Sequence, residues 1–146
     1  MNQATVPLRQ LTSEAAQAAV EAAIAHAEKL GVRVVVAAVD AGGVLLALRR
    51  MDGAFLHSID IAIDKAYTAV SFGFPTEGWA GVLADNEMRK VGLSVRPRLV
   101  VLGGGVPACE GALRVGAIGV SGATAEQDAE CARAGLEAIG LQDAVR

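Results

Sequence analysis

Lys65 is the side chain whose surroundings most directly call for chemistry. On a helix, the residues three and four positions away are Ile61, Ala62, Thr68 and Ala69, apolar except for Thr68. An ammonium on such a face must find a carboxylate, a bound anion or water, or lose its charge. It then acts as an anion anchor or as a lysine of lowered pKa suited to imine chemistry. The competing reading is a buried or subunit-bridging ion pair. Asp60 and Asp64 project at another angle, so a partner must come from elsewhere, and Asp128 is either that partner or a base. Thr68, on the same face, is grouped with the ligand-binding residues.

Arg49 and Arg50 end an apolar run and, on a strand, point to opposite faces. An inward arginine binds a carboxylate bidentately, which suits an organic-acid ligand, whereas Asp52 offers a plain salt bridge. Arg50, adjoining the Met51-Asp52-Gly53-Ala54 turn, is the preferred contact. Two glycine turns, Gly103–Gly105 and Ser121-Gly122-Ala123, follow apolar runs, and the second feeds a helix. Gly104, Gly105 and Gly122 are therefore placed where backbone N–H groups can meet an oxyanion. Glu126, Asp128 and Glu130 near that helix start compete for the same positive end. His26 lies beside Ala15, Ala19 and Ala22, where small neighbours leave room for a flat ligand or a second subunit. An axial imidazole in an apolar slot is what a haem needs; the plainer reading is a hydrogen-bonded histidine. His57, just before the second helix, is either an exposed flank or a general acid–base at a pocket mouth.

Composition narrows the classes. The 146 residues fit one domain spanning 1–146, with 53% hydrophobic but only 3% aromatic residues, so the core must be built from Ala, Val, Leu and Ile. A net charge of −3, scattered basic residues and few aromatics argue against nucleic acid. No run approaches the roughly 18 apolar residues of a membrane span, and a cytoplasmic protein is the default. Cys109 and Cys131 lack metal, redox or covalent-haem spacing. Cys131 reads as a small buried hydrophobe, and Cys109 as core or a ligand-facing thiol. No GxSxG, HExxH or histidine pair appears, so a serine hydrolase, a zinc enzyme and a resident metal are not expected.

These residues need a scaffold. A helix opens at Thr12 or Ser13 and closes at Gly31. Arg33–Asp40 and Val44–Arg50 form a hairpin, and a second helix runs from about Ser58 to Phe72. A short helix is predicted over Thr76–Met88, and Arg89–Pro97 carries no readable signal. Strands are predicted at Arg98–Leu102, Val106–Glu110 and Ala112–Ser121. A last helix begins with the capping box Thr124-Ala125-Glu126-Gln127 and ends near Gly140. The order α-β-β-α-α-β-β-β-α predicts an α+β fold with a five-stranded antiparallel sheet covered by helices. Without a strand–GxGxxG–helix context, Gly103–Gly105 is no dinucleotide fingerprint.

Four segments, VDAGGVLLALRRMDGA, DKAYTA, LGGGVP and GAIGVSGATAEQDAECARAGL, together resemble the GlcG/HbpS-like family, which includes the C-terminal domain of PduO-type proteins. The resemblance runs from about Leu11 to Leu141; Arg89–Pro97 matches no family motif, and Cys109 stands where an aliphatic residue is expected. It implies the α+β sandwich, a symmetric homo-oligomer and, in some members, haem binding or a place beside catabolic enzymes. The leading function is thus a small-molecule-binding oligomer with haem as the implied ligand. The alternative is an enzyme acting on a small carboxylate-bearing metabolite by hydrolysis or tautomerisation of an enamine, imine or enol. Arg50 would anchor the carboxylate, the turns would hold an oxyanion, and Lys65 or Asp128 would move the proton. A third class is a structural part of a catabolic complex.

Overall fold

Thr12 opens the first helix by accepting a hydrogen bond from Ala15 N at 3.1 Å, and Gly31, left-handed at φ 72°, closes it. The computed structural model describes residues 3–145. Helix α1 (Ser13–Leu30) buries the predicted face of Ala16, Val20, Ala23, Ile24 and Ala27, together with Ala19. The hairpin follows as β1 (Val35–Asp40) and β2 (Leu45–Arg50), its turn tied by Asp40 Oδ1, which accepts from Gly42 N and Val44 N. Helix α2 (Ser58–Phe72) ends at Gly73. A 3₁₀ turn at Thr76–Gly78 leads into α3 (Trp79–Leu83) and α4 (Glu87–Ser94). Strands β3 (Gly105–Glu110) and β4 (Leu113–Ser121) precede α5 (Ala125–Ala138), which carries the predicted capping box. Among the described residues, no helix is long and apolar enough to cross a membrane.

The sheet is antiparallel throughout, in the order β2-β1-β4-β3. It lies between α1 and α5 on one face and α2 on the other. Strand β1 is buried on both faces: Val36 and Ala38 join the α1–α5 core, and Val35, Ala37 and Val39 face α2. Two-sided burial explains the unbroken apolar run where a one-sided strand would alternate.

Four strands, not five, make this sheet, which preserves the α+β class and corrects the strand count. The predicted strand at Arg98–Leu102 does not form. Arg98 adopts a left-handed φ of 65°, and the neighbouring backbone bonds to α2 instead of to a sheet edge. Thr68 Oγ1 donates to Arg98 O at 2.9 Å and accepts from Val100 N at 3.1 Å. Gln142 bridges Cys109 on the outer side of β3. The predicted Thr76–Met88 helix is broken at Asp85, also left-handed at φ 58°, and α4 occupies the segment that carried no signal.

Helix α2 rests directly on the sheet at two paired glycines. Gly105 and Gly119 are register partners facing α2. A Cβ on Gly119 would lie 2.0 Å from Ala62 O, and one on Gly105 2.4 Å from Lys65 O. The absent side chains form a notch into which the helix backbone fits, and no small rotamer change can relieve a collision with backbone. Gly119→Ala should therefore lower the unfolding free energy by about 3 kcal/mol or abolish folding. Gly92→Ala, in open space on α4, should raise it by up to about 1 kcal/mol. Chemical denaturation of the two variants beside the parent measures both.

Candidate functional site

Lys65 sits on the sheet side of α2 with 3% of its side chain exposed, and Asp128 in the first turn of α5 is equally buried. They meet at the end of the sheet, where Lys65 Nζ donates to Asp128 Oδ2 at 3.0 Å and to Val120 O at 2.9 Å. Asp128 Oδ1 accepts from Ala123 N at 3.0 Å, so the carboxylate serves α5 as well as the lysine. Gly104 makes the meeting possible. A Cβ there would stand 2.7 Å from Lys65 Nζ and 2.9 Å from Asp128 Cβ. Gly105 N donates to the buried Thr76 Oγ1 at 2.9 Å, and Gly122 packs on the Arg33 backbone. The N–H groups expected to face an oxyanion thus include Ala123 and Gly105, which already have acceptors within the chain.

The other nominated residues stand apart from this pair. Arg50 shares the α2 face of the sheet but lies on β2, two strands from the β4 residues beside Lys65 and hence about 10 Å away. Its guanidinium is exposed, reaches Ala54 O at 3.4 Å, and lines a cleft of about 160 Å³ with Arg33, Arg49 and Asp52. His57 is exposed at the start of α2 and makes no capping bond. His26 is part-buried on α1, its Nε2 bonded to the Glu130 carboxylate of α5. The alanine side of α1 is partly filled, since Gly135 of α5 comes so close that a Cβ would stand 2.8 Å from Ala19 O.

Both cysteines are buried. Burial, then the charges of Asp128 and Glu130, push the Cys131 thiol up to about 11. Burial likewise raises Cys109. Both therefore stay thiols at neutral pH. Among the described residues, no group of three or more His, Cys, Asp or Glu side chains is arranged to hold a metal ion.

A second cluster escapes a motif search. Arg98 pairs with Asp64 at 2.9 Å and lies over the Tyr67 ring, its guanidinium carbon 3.5 Å from the centroid. Thr68, nominated for ligand binding, spends its hydroxyl on clamping the Arg98–Val100 strap. The signal was present in part. Asp64, Tyr67, Thr68 and Ser71 recur at i, i+3, i+4 and i+7 and so share a helix face that must meet something polar.

The buried pair is expected to carry stability that appears only when one partner is removed. Asp128→Asn, which strands an ammonium, should cost about 3–5 kcal/mol, and Lys65→Met should cost a similar amount by stranding the carboxylate. The double variant should lose clearly less than the sum, a coupling that urea titration of all four proteins resolves.

Residues 11–137 match the family described as haem degrading protein HbpS-like. A Streptomyces reticuli HbpS variant has a similar structure, with a TM-score of 0.85 at 40% identity over 93% of this chain and 91% of that one. The PduOC–haem complex aligns with a TM-score of 0.83 at 29% identity over 92% and 99% of the two chains. The GlcG protein of Escherichia coli K12 is 36% identical over 111 residues, 76% of this chain and 81% of GlcG. With its motifs, the family match over residues 11–137 and these likenesses in agreement, the chain belongs to the HbpS-like family.

Proposed function

We propose that this chain is a haem-binding protein, with His26 as the iron ligand. The observation that carries the reading is the position of His26, an imidazole with 29% of its side chain exposed on a helix of small residues, in a chain similar to a haem complex. When bound, haem would supply an iron that takes a nitrogen donor, and His26 would offer that donor beside a helix surface for the ring. The donor fits. Glu130, whose side chain is 55% exposed, holds Nε2 through a surface pair worth at most about 1 kcal/mol, so the carboxylate can swing to water and release it.

The surface fits in one direction only. Gly135 and Ala19 bring α1 and α5 nearly backbone to backbone, so a ring does not enter between them. Ala18, Ala22 and Ala25 form a flatter strip on the accessible side of α1, beside His26. A ring lying there has one face uncovered, which a second copy of the chain would close. The homo-oligomer belongs to this reading for that reason. Lys29, one turn beyond His26, offers a cation for a propionate.

The enzyme reading rests on Lys65 and Asp128 meeting beside Gly104. Both side chains are almost wholly buried and hydrogen-bonded within the chain, and Arg50 lies outside their reach. We therefore assign Lys65 and Asp128 to holding the fold, and leave Arg50 as a surface anion contact.

Titration of the purified protein with hemin should give a saturable, shifted Soret band. His26→Ala should abolish the shift, while Glu130→Gln should keep it or tighten binding by a few-fold, having weakened the competing pair. A shifted band that survives His26→Ala would move the iron ligand elsewhere, and a flat titration would end the haem reading.

A further inference from the structure

The strap held by Thr68 walls a cleft of about 180 Å³, open to solvent on the side of Ser71, Arg96 and Pro97, between α2 and the segment joining α4 to β3. Its sides are apolar, drawn from Phe72, Leu93 and Leu99, with the Tyr67 ring at one side and Ser71 at the rim. Arg96 also lines it. Among the described residues no carboxylate pairs with Arg96. Arg98, the other cation here, is neutralised by Asp64 and stacked on Tyr67, so the cleft presents one free positive charge against apolar walls.

The strap is fixed rather than loosely draped. Arg98 is held in a left-handed conformation that a bulky side chain seldom adopts, by an ion pair, a stacked ring and Thr68 Oγ1, which donates to Arg98 O and accepts from Val100 N. Such over-determined strain preserves a specific wall shape.

We propose that this cleft binds a small monocarboxylic acid with an apolar body the size of a single ring. Size sets the body: a cavity of about 150 Å³ lined by Leu, Ile and Phe side chains admits one benzene ring, whereas drug-sized ligands need at least about 300 Å³. Charge sets the head: one unpaired guanidinium matches a carboxylate through two parallel bonds, while a phosphate dianion would lack donors on its remaining oxygens. The site is separate from His26 and from the Lys65–Asp128 pair, and stands or falls independently of haem binding.

Benzoate is the probe, followed by calorimetry and by the emission of Trp79. Trp79 is the sole tryptophan, and its ring lies edge-on to Phe72 with centroids 4.8 Å apart. Benzoate should give a saturable heat together with a change in Trp79 emission, and benzamide, which keeps the ring but not the charge, should bind about fivefold more weakly. Arg96→Gln should weaken benzoate by the same factor and leave benzamide unchanged. Ser71→Phe, a substitution on the exposed rim, should block both ligands while leaving the thermal midpoint in place. Absence of saturable heat overturns the proposal, as does benzoate binding that is indifferent to both Arg96→Gln and Ser71→Phe. Equal affinity for benzamide and benzoate overturns the assignment of Arg96 as the carboxylate contact.

Discussion

One buried ion pair joins the layers of this fold. Lys65 belongs to the helix on one face of the sheet and Asp128 to a helix on the other, and they meet around the sheet's end over Gly104. A charge pair so buried gains little over a hydrophobic pair of equal volume, because desolvating both groups offsets much of their attraction. Its effect is directional. An ammonium that must find both Asp128 and Val120 O sets where α2 lies along β4, and a carboxylate that must also take Ala123 N sets where α5 begins.

The sequence makes the local elements legible and leaves their meetings obscure. Helices α1, α2 and α5 declare themselves through apolar periodicity, Thr12, Thr124 and the closing glycines, all information within a few residues. Arg98–Leu102 misleads because Arg-Leu-Val-Val-Leu has the composition of a strand. What prevents the strand is Thr68, thirty residues away, which supplies the hydrogen bonds that a neighbouring strand would have supplied. Lys65 stands out because a lone cation on an apolar helix face is a local anomaly. Its pairing with Asp128 could only be offered as one option, since it depends on how α2 and α5 close around the sheet. The Glu130 partner of His26 is hidden for the same reason, being set by the antiparallel packing of α1 on α5.

The proposed haem surface and the proposed small-acid cleft draw on different parts of this architecture. The helical face bearing His26 belongs to a regular helix of small residues, and a flat ligand needs such a flat, repeated surface. The cleft behind the strap is walled on one side by α2 and on the other by irregular chain, where a particular shape can be specified without disturbing the sheet. Placed apart in this way, the regular helical face and the irregular wall can change independently of one another.

The glycine notch beneath α2 also governs how the protein can diverge. Where backbone lies on backbone, as at Gly105 and Gly119, a larger side chain has nowhere to go, and the Ala and Val core around them has little side chain left to trim. The interior is close to the smallest form that still fills the space, so viable sequence drift is confined to near-isosteric exchanges there. Novelty must accumulate outside it, in exposed chain such as α4, none of whose residues is buried.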